Sequence, residues 1–318
     1  MNKGIRVSLL MLFIFLNSCS KSEQNADEVV IGYSALRISL PVFVAVEKGY
    51  FRDEGLKVKL VRFDTAQPLM QSLVAGKIPV AGYTALPITF NAMLRSKEKL
   101  YFITSLVEDD MHPISYLILP HATPKDFTMN ELRGKKIGVL PTVAYHKWLE
   151  HILKSQGISR DEVTITPVTP NLQANALQSG AVHAVFTNDP AATAILQQGV
   201  GRLYSDESIS PKYLGNPMLF GSFNIAKGWA DSHPEQYKKI VRALNKSVDF
   251  VNENPQKAKQ AMVPYVHETQ KNFVSHYANA KYLRTDQSDS VKYQATVKQY
   301  LELGIIPEKL NLEELIIK

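Results

Sequence analysis

Val29-Val30-Ile31-Gly32 and Lys136-Ile137-Gly138-Val139 are short apolar runs that share an Ile-Gly pair, and the stretches they open, Val29 to Phe90 and Lys135 to Ile195, can be laid over one another. The helix predicted after each run, Pro41 to Lys48 and Val143 to Gln156, stops at a glycine, Gly49 and Gly157. Glycine accepts the left-handed position beyond a helix end without a Cβ clash. Strand Lys57 to Arg62 then answers Val163 to Pro167. Helix Pro68 to Ala75, closed by Gly76, answers Leu172 to Ser179, closed by Gly180, and the pairs Leu73/Gly76 and Leu177/Gly180 share one offset of 104 residues. Ile78 to Ala81 matches Val182 to Val185, and a further helix follows at Pro87 and at Pro190. Strands alternating with helices predict βαβ units and parallel sheet. Two copies predict two α/β lobes.

The join between copies predicts the path of the chain. Ile114 to Leu119 reads as a strand leaving lobe one, and Leu219 to Ile225 as a strand returning after lobe two. The expected division is 29–116 with 224–318 for lobe one and 117–223 for lobe two, the joining strands acting as hinges. Further helices are expected over Tyr237 to Asn252, with Ser232 as N-cap, and from Asn254-Pro255, Asp286 to Leu303 and Leu310 to Ile317.

The N-terminus has another character. Lys3 and Arg6 precede the apolar run Val7 to Leu16, which is too short to span a bilayer, a task of about 20 residues, and suits a signal-peptide core. Leu16-Asn17-Ser18-Cys19 resembles the bacterial lipobox, with Asn17 where a small or aliphatic residue is usual. Residues 1–18 are therefore expected to be a lipoprotein signal peptide, Cys19 the lipidated residue, and 19–28 a polar flexible tether.

Cys19 is the one cysteine in 318 residues, so disulfides, thiolate metal sites and cysteine nucleophiles are excluded from the domain that follows. The formal charge is +6, or +4 once Lys3 and Arg6 are removed with the leader. That mild excess, without a dense Lys/Arg block, is compatible with an anionic solute and argues against nucleic acid in an exported protein. His146 and His151, five apart, lie on different faces of a helix and do not make a metal pair. No phosphate loop, dinucleotide fingerprint, His-Glu-x-x-His or Gly-x-Ser-x-Gly occurs, so neither cofactor nor metal is expected.

In open α/β sheets ligands bind beyond the carboxyl ends of the strands, where helix N-termini present unpaired N–H groups and a partial positive charge. Hydroxyl, amide and charged residues mark those ends here. Ser34, Arg37 and Ser39 precede Pro41, Thr65 precedes Pro68, Tyr83 and Thr84 precede Pro87, Thr142 and Tyr145 open the first helix of the second copy, and Asn188 and Asp189 precede Pro190. Helix capping alone accounts for many such residues. Convergence of two duplicated sheets on one cleft is what favours ligand binding. Arg37 suits an anionic group, Tyr83 and Tyr145 an apolar part or a hydroxyl contact, and Asn188 and Asp189 a donor group.

The segment from Pro41 to Val58 resembles the signature of the nitrate, sulfonate and taurine substrate-binding proteins and of the related thiamine-pyrimidine-precursor binders. Ala45, Gly49, Tyr50, Phe51, Glu54, Gly55, Leu56 and Val58 fit the pattern A-x-x-x-G-Y-F-x-x-E-G-L-x-V. The resemblance runs through Leu73 to Ala81, Leu132 to Gly138, Ala176 to Ala184 and Asn254 to Ala258. It implies a type II periplasmic-binding-protein fold, hinge closure on a small solute, and delivery to an ABC importer whose permease and ATPase are separate chains. It also implies an anion held by helix N-termini and hydroxyls, with Thr142 and Tyr83-Thr84 at comparable places. The expected protein is a monomer, held at the membrane by its lipid, with no catalytic role. The alternative is a thiamine-pyrimidine-precursor binding protein, or an enzyme on the same fold that forms the thiamine pyrimidine or acts on a menaquinone precursor, although the pyrimidine-forming enzyme's cysteine-rich motif has no counterpart after Cys19. A sensory adaptor presenting its solute to a membrane receptor is a third reading.

Overall fold

The computed structural model describes residues 28–312. The expected signal peptide, Cys19 and nearly all of the tether lie outside them, as do residues 313–317 of the last expected helix. Of that helix, 310–312 are described, and they are not helical.

Eleven strands are formed among the described residues: β1 (Glu28–Ser34), β2 (Lys57–Phe63), β3 (Val80–Ala85), β4 (Leu100–Glu108), β5 (Ser115–Pro120), β6 (Lys136–Val139), β7 (Thr164–Pro167), β8 (Ala184–Asn188), β9 (Gly201–Leu203), β10 (Met218–Ala226) and β11 (Lys281–Leu283). They make two sheets, in the orders β11-β4-β10-β3-β1-β2 and β7-β6-β8-β5-β9. In the first, β1 pairs in parallel with β2 and β3, and β10 enters antiparallel between β3 and β4. In the second, β6 pairs in parallel with β7 and β8, and β5 enters antiparallel between β8 and β9. The overlay in the sequence is thus an overlay of sheets, each completed by an antiparallel strand that adjoins the chain's passage from the other sheet.

The local causes are those the sequence carries. Gly49 and Gly157 end matching helices with φ of 74° at both, and Gly76 and Gly180 do so at 69° and 73°. Helix Val143–Ser155 buries Tyr145, Trp148, Leu149 and Ile152, the spacing of one helical face. Helix Pro234–Glu253 buries Ile240, Ala243, Leu244 and Val248 against the first sheet's helices. Ser232 is not its N-cap. It ends a preceding short helix, Lys227–Ser232, and its hydroxyl donates to the Gly228 carbonyl at 2.8 Å, the back-bonding open to serine inside a helix. Asp289 caps helix Ser290–Glu302, accepting from the Val291 and Lys292 amides.

β10 and most of β3 and β4 are buried on both faces, as expected of central strands. One hydrophobic core runs from the first sheet to one face of the second, where it includes Ile137, Tyr145 and Trp148, and the other face of the second sheet packs a smaller cluster around Ile118, Val185 and Ile195. The chain leaves the first sheet after Glu108, turns where Asp109 Oδ1 accepts the amides of Met111 and His112, and joins the second sheet at Ser115. It returns through helix Ile209–Leu214 to β10.

The two Ile-Gly positions are not equally crowded. A Cβ on Gly32 would lie 2.5 Å from Leu69 Cδ1 and 2.6 Å from Ile78 Cδ1, whereas one on Gly138 would meet nothing nearer than 3.4 Å. Gly32→Ala should therefore cost about 1–3 kcal/mol through overpacking, and Gly138→Ala less than about 1 kcal/mol. Urea denaturation of the two variants checks this, and equal costs would contradict it.

Candidate ligand site between the two sheets

Arg37 and Asp189 come from different sheets and meet. Arg37 follows β1, Asp189 follows β8, and Nη2 of the first lies 3.2 Å from Oδ2 of the second, with both side chains almost fully buried. Arg37 also donates to the carbonyls of Pro113, in the crossing segment, and Ala278, each at 2.8 Å. Asp189 uses its other oxygen to accept from the Thr193 hydroxyl at 2.7 Å. Burial opposes the charge on Arg37, but Tyr116, Asp189, Tyr282 and Glu108 around it outweigh that and hold the guanidinium protonated beyond its ordinary range.

Further polar groups gather on this pair. The Tyr116 hydroxyl points at Asp189, 3.4 Å away, and burial raises its pKa. Tyr145 is buried with the Asn188 side chain beside it, while its hydroxyl makes no full hydrogen bond. Lys259, 3% exposed, has its pKa lowered first by burial and then by Arg37, against the opposing pull of Asp189. Burial raises the pKa of Tyr277, with the nearby Asp189 adding to the shift and Arg37 opposing it.

Glu108, the last residue of β4, is fully buried. Its Oε1 accepts four hydrogen bonds: from the Ile114 amide at 3.1 Å, the Ser115 amide at 2.9 Å, the Ser115 hydroxyl at 2.7 Å and the Ser208 hydroxyl at 2.5 Å. The donors belong to both passages between the sheets. Oε2 has no partner. Burial pushes the pKa of Glu108 up, and the four donors only partly restore the charged form.

The ten candidate residues separate into four groups. Arg37, Tyr145, Asn188 and Asp189 share the buried region between the sheets. Ser34 and Ser39 are fully buried, on either side of Arg37 in sequence, and their hydroxyls lack partners. Tyr83 and Thr84 lie inside the first sheet's unit: the Tyr83 hydroxyl bonds Thr104, its ring packs edgewise on Phe223 and Tyr282, and Thr84 Oγ1 bonds Thr89 at 2.6 Å and accepts from Asn224 at 2.9 Å. Thr65 and Thr142 are exposed at helix starts, and Thr142 Oγ1 caps its helix by accepting from the Tyr145 amide at 3.2 Å. A groove of about 410 Å³ at the carboxyl ends of β6 and β7 is lined by Thr142, Val143, His146 and Lys147. Sequence reading does not reach Glu108, Tyr116, Trp148, Lys259 or Tyr300. Among the described residues no cluster of three His, Cys, Asp or Glu side chains suits a metal ion.

Comparison with known proteins places this geometry. The periplasmic aliphatic sulphonate-binding protein of Escherichia coli superposes with a TM-score of 0.73 at 16% identity, covering 92% of each chain. The two-sheet arrangement is therefore the type II periplasmic-binding-protein fold. A model of the NMT1-like family matches residues 22–265, and the chain belongs to that family. A Bacillus subtilis protein named as an aliphatic sulfonates-binding protein is 25% identical over 266 residues, 80% of this chain and 75% of its own length. A Haemophilus influenzae protein named for thiamine biosynthesis is 22% identical over 284 residues, 86% of this chain and 85% of its own.

Removing one partner of a buried ion pair leaves a charge without compensation, so Asp189→Asn should destabilise by about 3–5 kcal/mol, measurable by chemical denaturation. A cost below about 1 kcal/mol would mean that the pair does not hold the sheets' units together. A second expectation concerns pH. The folded-state pKa of Glu108 lies above its ordinary 4.5, so the folded chain binds that proton more tightly than the unfolded chain. Its contribution is full below the ordinary value and is lost as pH rises through the raised one. The stability of the wild type relative to Glu108→Gln should fall across that window, and a difference independent of pH would contradict the assignment.

Proposed function

We propose that this chain is an exported, lipid-anchored solute-binding protein that captures a small polar organic solute between its two sheet-centred lobes and delivers it to an ABC importer. The Arg37–Asp189 pair carries this reading, because it joins the strand ends of two duplicated sheets across the face where such folds take their ligands. Polar side chains from both lobes are buried there without full hydrogen bonding, as expected of groups that serve a guest molecule.

The lobes are each centred on one sheet. The expected bounds, 29–116 with 224–318 and 117–223, shift slightly on this reading: β5 belongs to lobe two from Ser115 and β10 to lobe one from Met218, with the passages between the sheets at residues 109–114 and 204–217. Family membership and a relative named for aliphatic sulfonates support a sulfonate-like solute. The buried hydroxyls of Ser34 and Ser39, beside the start of helix Leu40–Glu47, offer such an oxyanion its hydrogen bonds. The aromatic side chains of Tyr145, Trp148, Phe186 and Phe220 favour a second reading, a pyrimidine of the thiamine-precursor type. Either solute is bound and released unchanged. The leader and Cys19 support export and anchoring, with the chain working as a monomer alongside a separate permease and ATPase. No helix among the described residues is long and apolar enough to cross a membrane.

Thermal unfolding across alkanesulfonates, taurine, nitrate and substituted pyrimidines tests the assignment. A ligand at a hundred times its Kd stabilises by about 2.7 kcal/mol, a readily measured shift in Tm. A panel without any shift would refute solute capture. Cys19→Ala should move the protein from the membrane to the soluble fraction of its host, and unchanged fractionation would refute the anchor.

A further inference from the structure

Three buried polar groups without hydrogen-bond partners, Glu108 Oε2, the Tyr300 hydroxyl and Trp148 Nε1, gather around the end of β4 with the Tyr145 hydroxyl, which has Asn188 beside it but makes no full hydrogen bond. The Tyr145 and Trp148 rings are 5.1 Å apart, those of Trp148 and Tyr300 are 6.2 Å apart, and the Glu108 carboxylate acts on both tyrosine hydroxyls. Glu108 and Tyr300 belong to the first sheet's unit, and Tyr145 and Trp148 stand on the first helix of the second. Buried polar atoms in native proteins are nearly always bonded, so several orphans in one place need a common cause.

Their chemistry is unequal. Trp148 Nε1 can only donate, and each tyrosine hydroxyl can donate. Glu108 Oε1 is occupied by its four donors, so with the carboxylate ionised Oε2 is the charged acceptor of the group, the tyrosine hydroxyls being able to accept as well as donate. A simple oxyanion at this point would be repelled by the carboxylate, whereas an N–H group would complete it.

We infer that Glu108 is a specificity-determining residue whose free oxygen Oε2 receives an N–H donor of the solute, an ammonium or amino group, while Tyr145, Trp148 and Tyr300 donate to acceptors on the same molecule. This rests on the solute-binding reading above and deepens it. A sulfonate solute then carries an amino group as well, and a ring solute carries an exocyclic amine. Glu108 also bonds donors from both passages between the sheets, so the donor is read at the point where lobe closure is governed.

Matched pairs that differ only in the amino group test the inference. Calorimetric titration with taurine against ethanesulfonate, and with 4-aminopyrimidine against pyrimidine, reads the discrimination directly. The amino member of at least one pair should bind tighter by roughly tenfold or more, the worth of a charge-assisted hydrogen bond. Glu108→Gln keeps a carbonyl oxygen for the four donors and should bring that ratio to within about threefold. Equal binding within both pairs, or a ratio that survives in Glu108→Gln, overturns the assignment while leaving solute capture standing. Failure of all four probes and of the wider panel overturns both. Tyr300→Phe guards against a Glu108 variant that does not fold. A hydroxyl without a partner adds nothing to the free protein, so this variant should keep or raise its Tm and still bind the preferred probe several-fold more weakly, by about fivefold. A lowered Tm with unchanged affinity would assign Tyr300 to structure and overturn its place in the site.

Discussion

Two opposite charges buried between two sheets constrain everything else in this molecule. Arg37 and Asp189 cannot be taken from water separately at a tolerable cost, so the chain must bring the end of β1 and the end of β8 to one place. Each sheet does its part in the same way. A parallel strand stops, a short turn follows, and a helix begins, so that the charged residue stands at the carboxyl edge. The remaining donors of Arg37 fix the crossing segment at Pro113 and the later chain at Ala278, which draws the C-terminal portion into the same junction.

The duplication explains why the site lies where it does. Each sheet has its first strand between two parallel neighbours, with an antiparallel strand beyond the third. Because the chain changes sheet next to those antiparallel strands, the passages lie beside the carboxyl edges rather than behind them. Glu108 exploits this position. One of its oxygens gathers amides and hydroxyls from the outgoing and returning passages, and the other is left for the interior. On the proposed reading, a residue at the crossing between the sheets is also the one that reads the solute.

Much of the fold was legible because its punctuation is local. Gly49, Gly76, Gly157 and Gly180 all adopt the left-handed conformation that their places after helices require, and the apolar runs between them match in order. Of the candidate residues, only Arg37 and Asp189 find each other across the two sheets, each at its own strand end. Thr84 shows why the same logic reaches other residues less well. It occupies an equivalent strand end, but β10 comes alongside β3 and supplies Asn224, a partner 140 residues distant that no local pattern announces. Thr142 looks like a ligand residue and a helix cap at once, and its hydroxyl accepts the Tyr145 amide. Glu108 was hidden differently. In sequence it opens the run Glu108-Asp109-Asp110, in which nothing local distinguishes one acid from another, and only the burial of β4 separates the first carboxylate from the next two.

The energetics of the junction also bear on how such a protein would close on its guest. An ion pair buried as deeply as Arg37–Asp189 gains attraction and loses hydration in nearly equal measure, so by itself it is a weak drive toward the closed arrangement. Around it lie buried groups that are worse off closed than open: the second oxygen of Glu108, the hydroxyls of Ser34, Ser39, Tyr145 and Tyr300, and the Trp148 indole. Each loses water without gaining a partner, at a cost of about 1–3 kcal/mol. A solute that bonds several of them removes those costs only in the closed form, and a differential of that kind is what shifts a two-state equilibrium. On the proposed reading the ion pair sets the register in which the lobes meet, and the unpartnered groups make that meeting conditional on the solute.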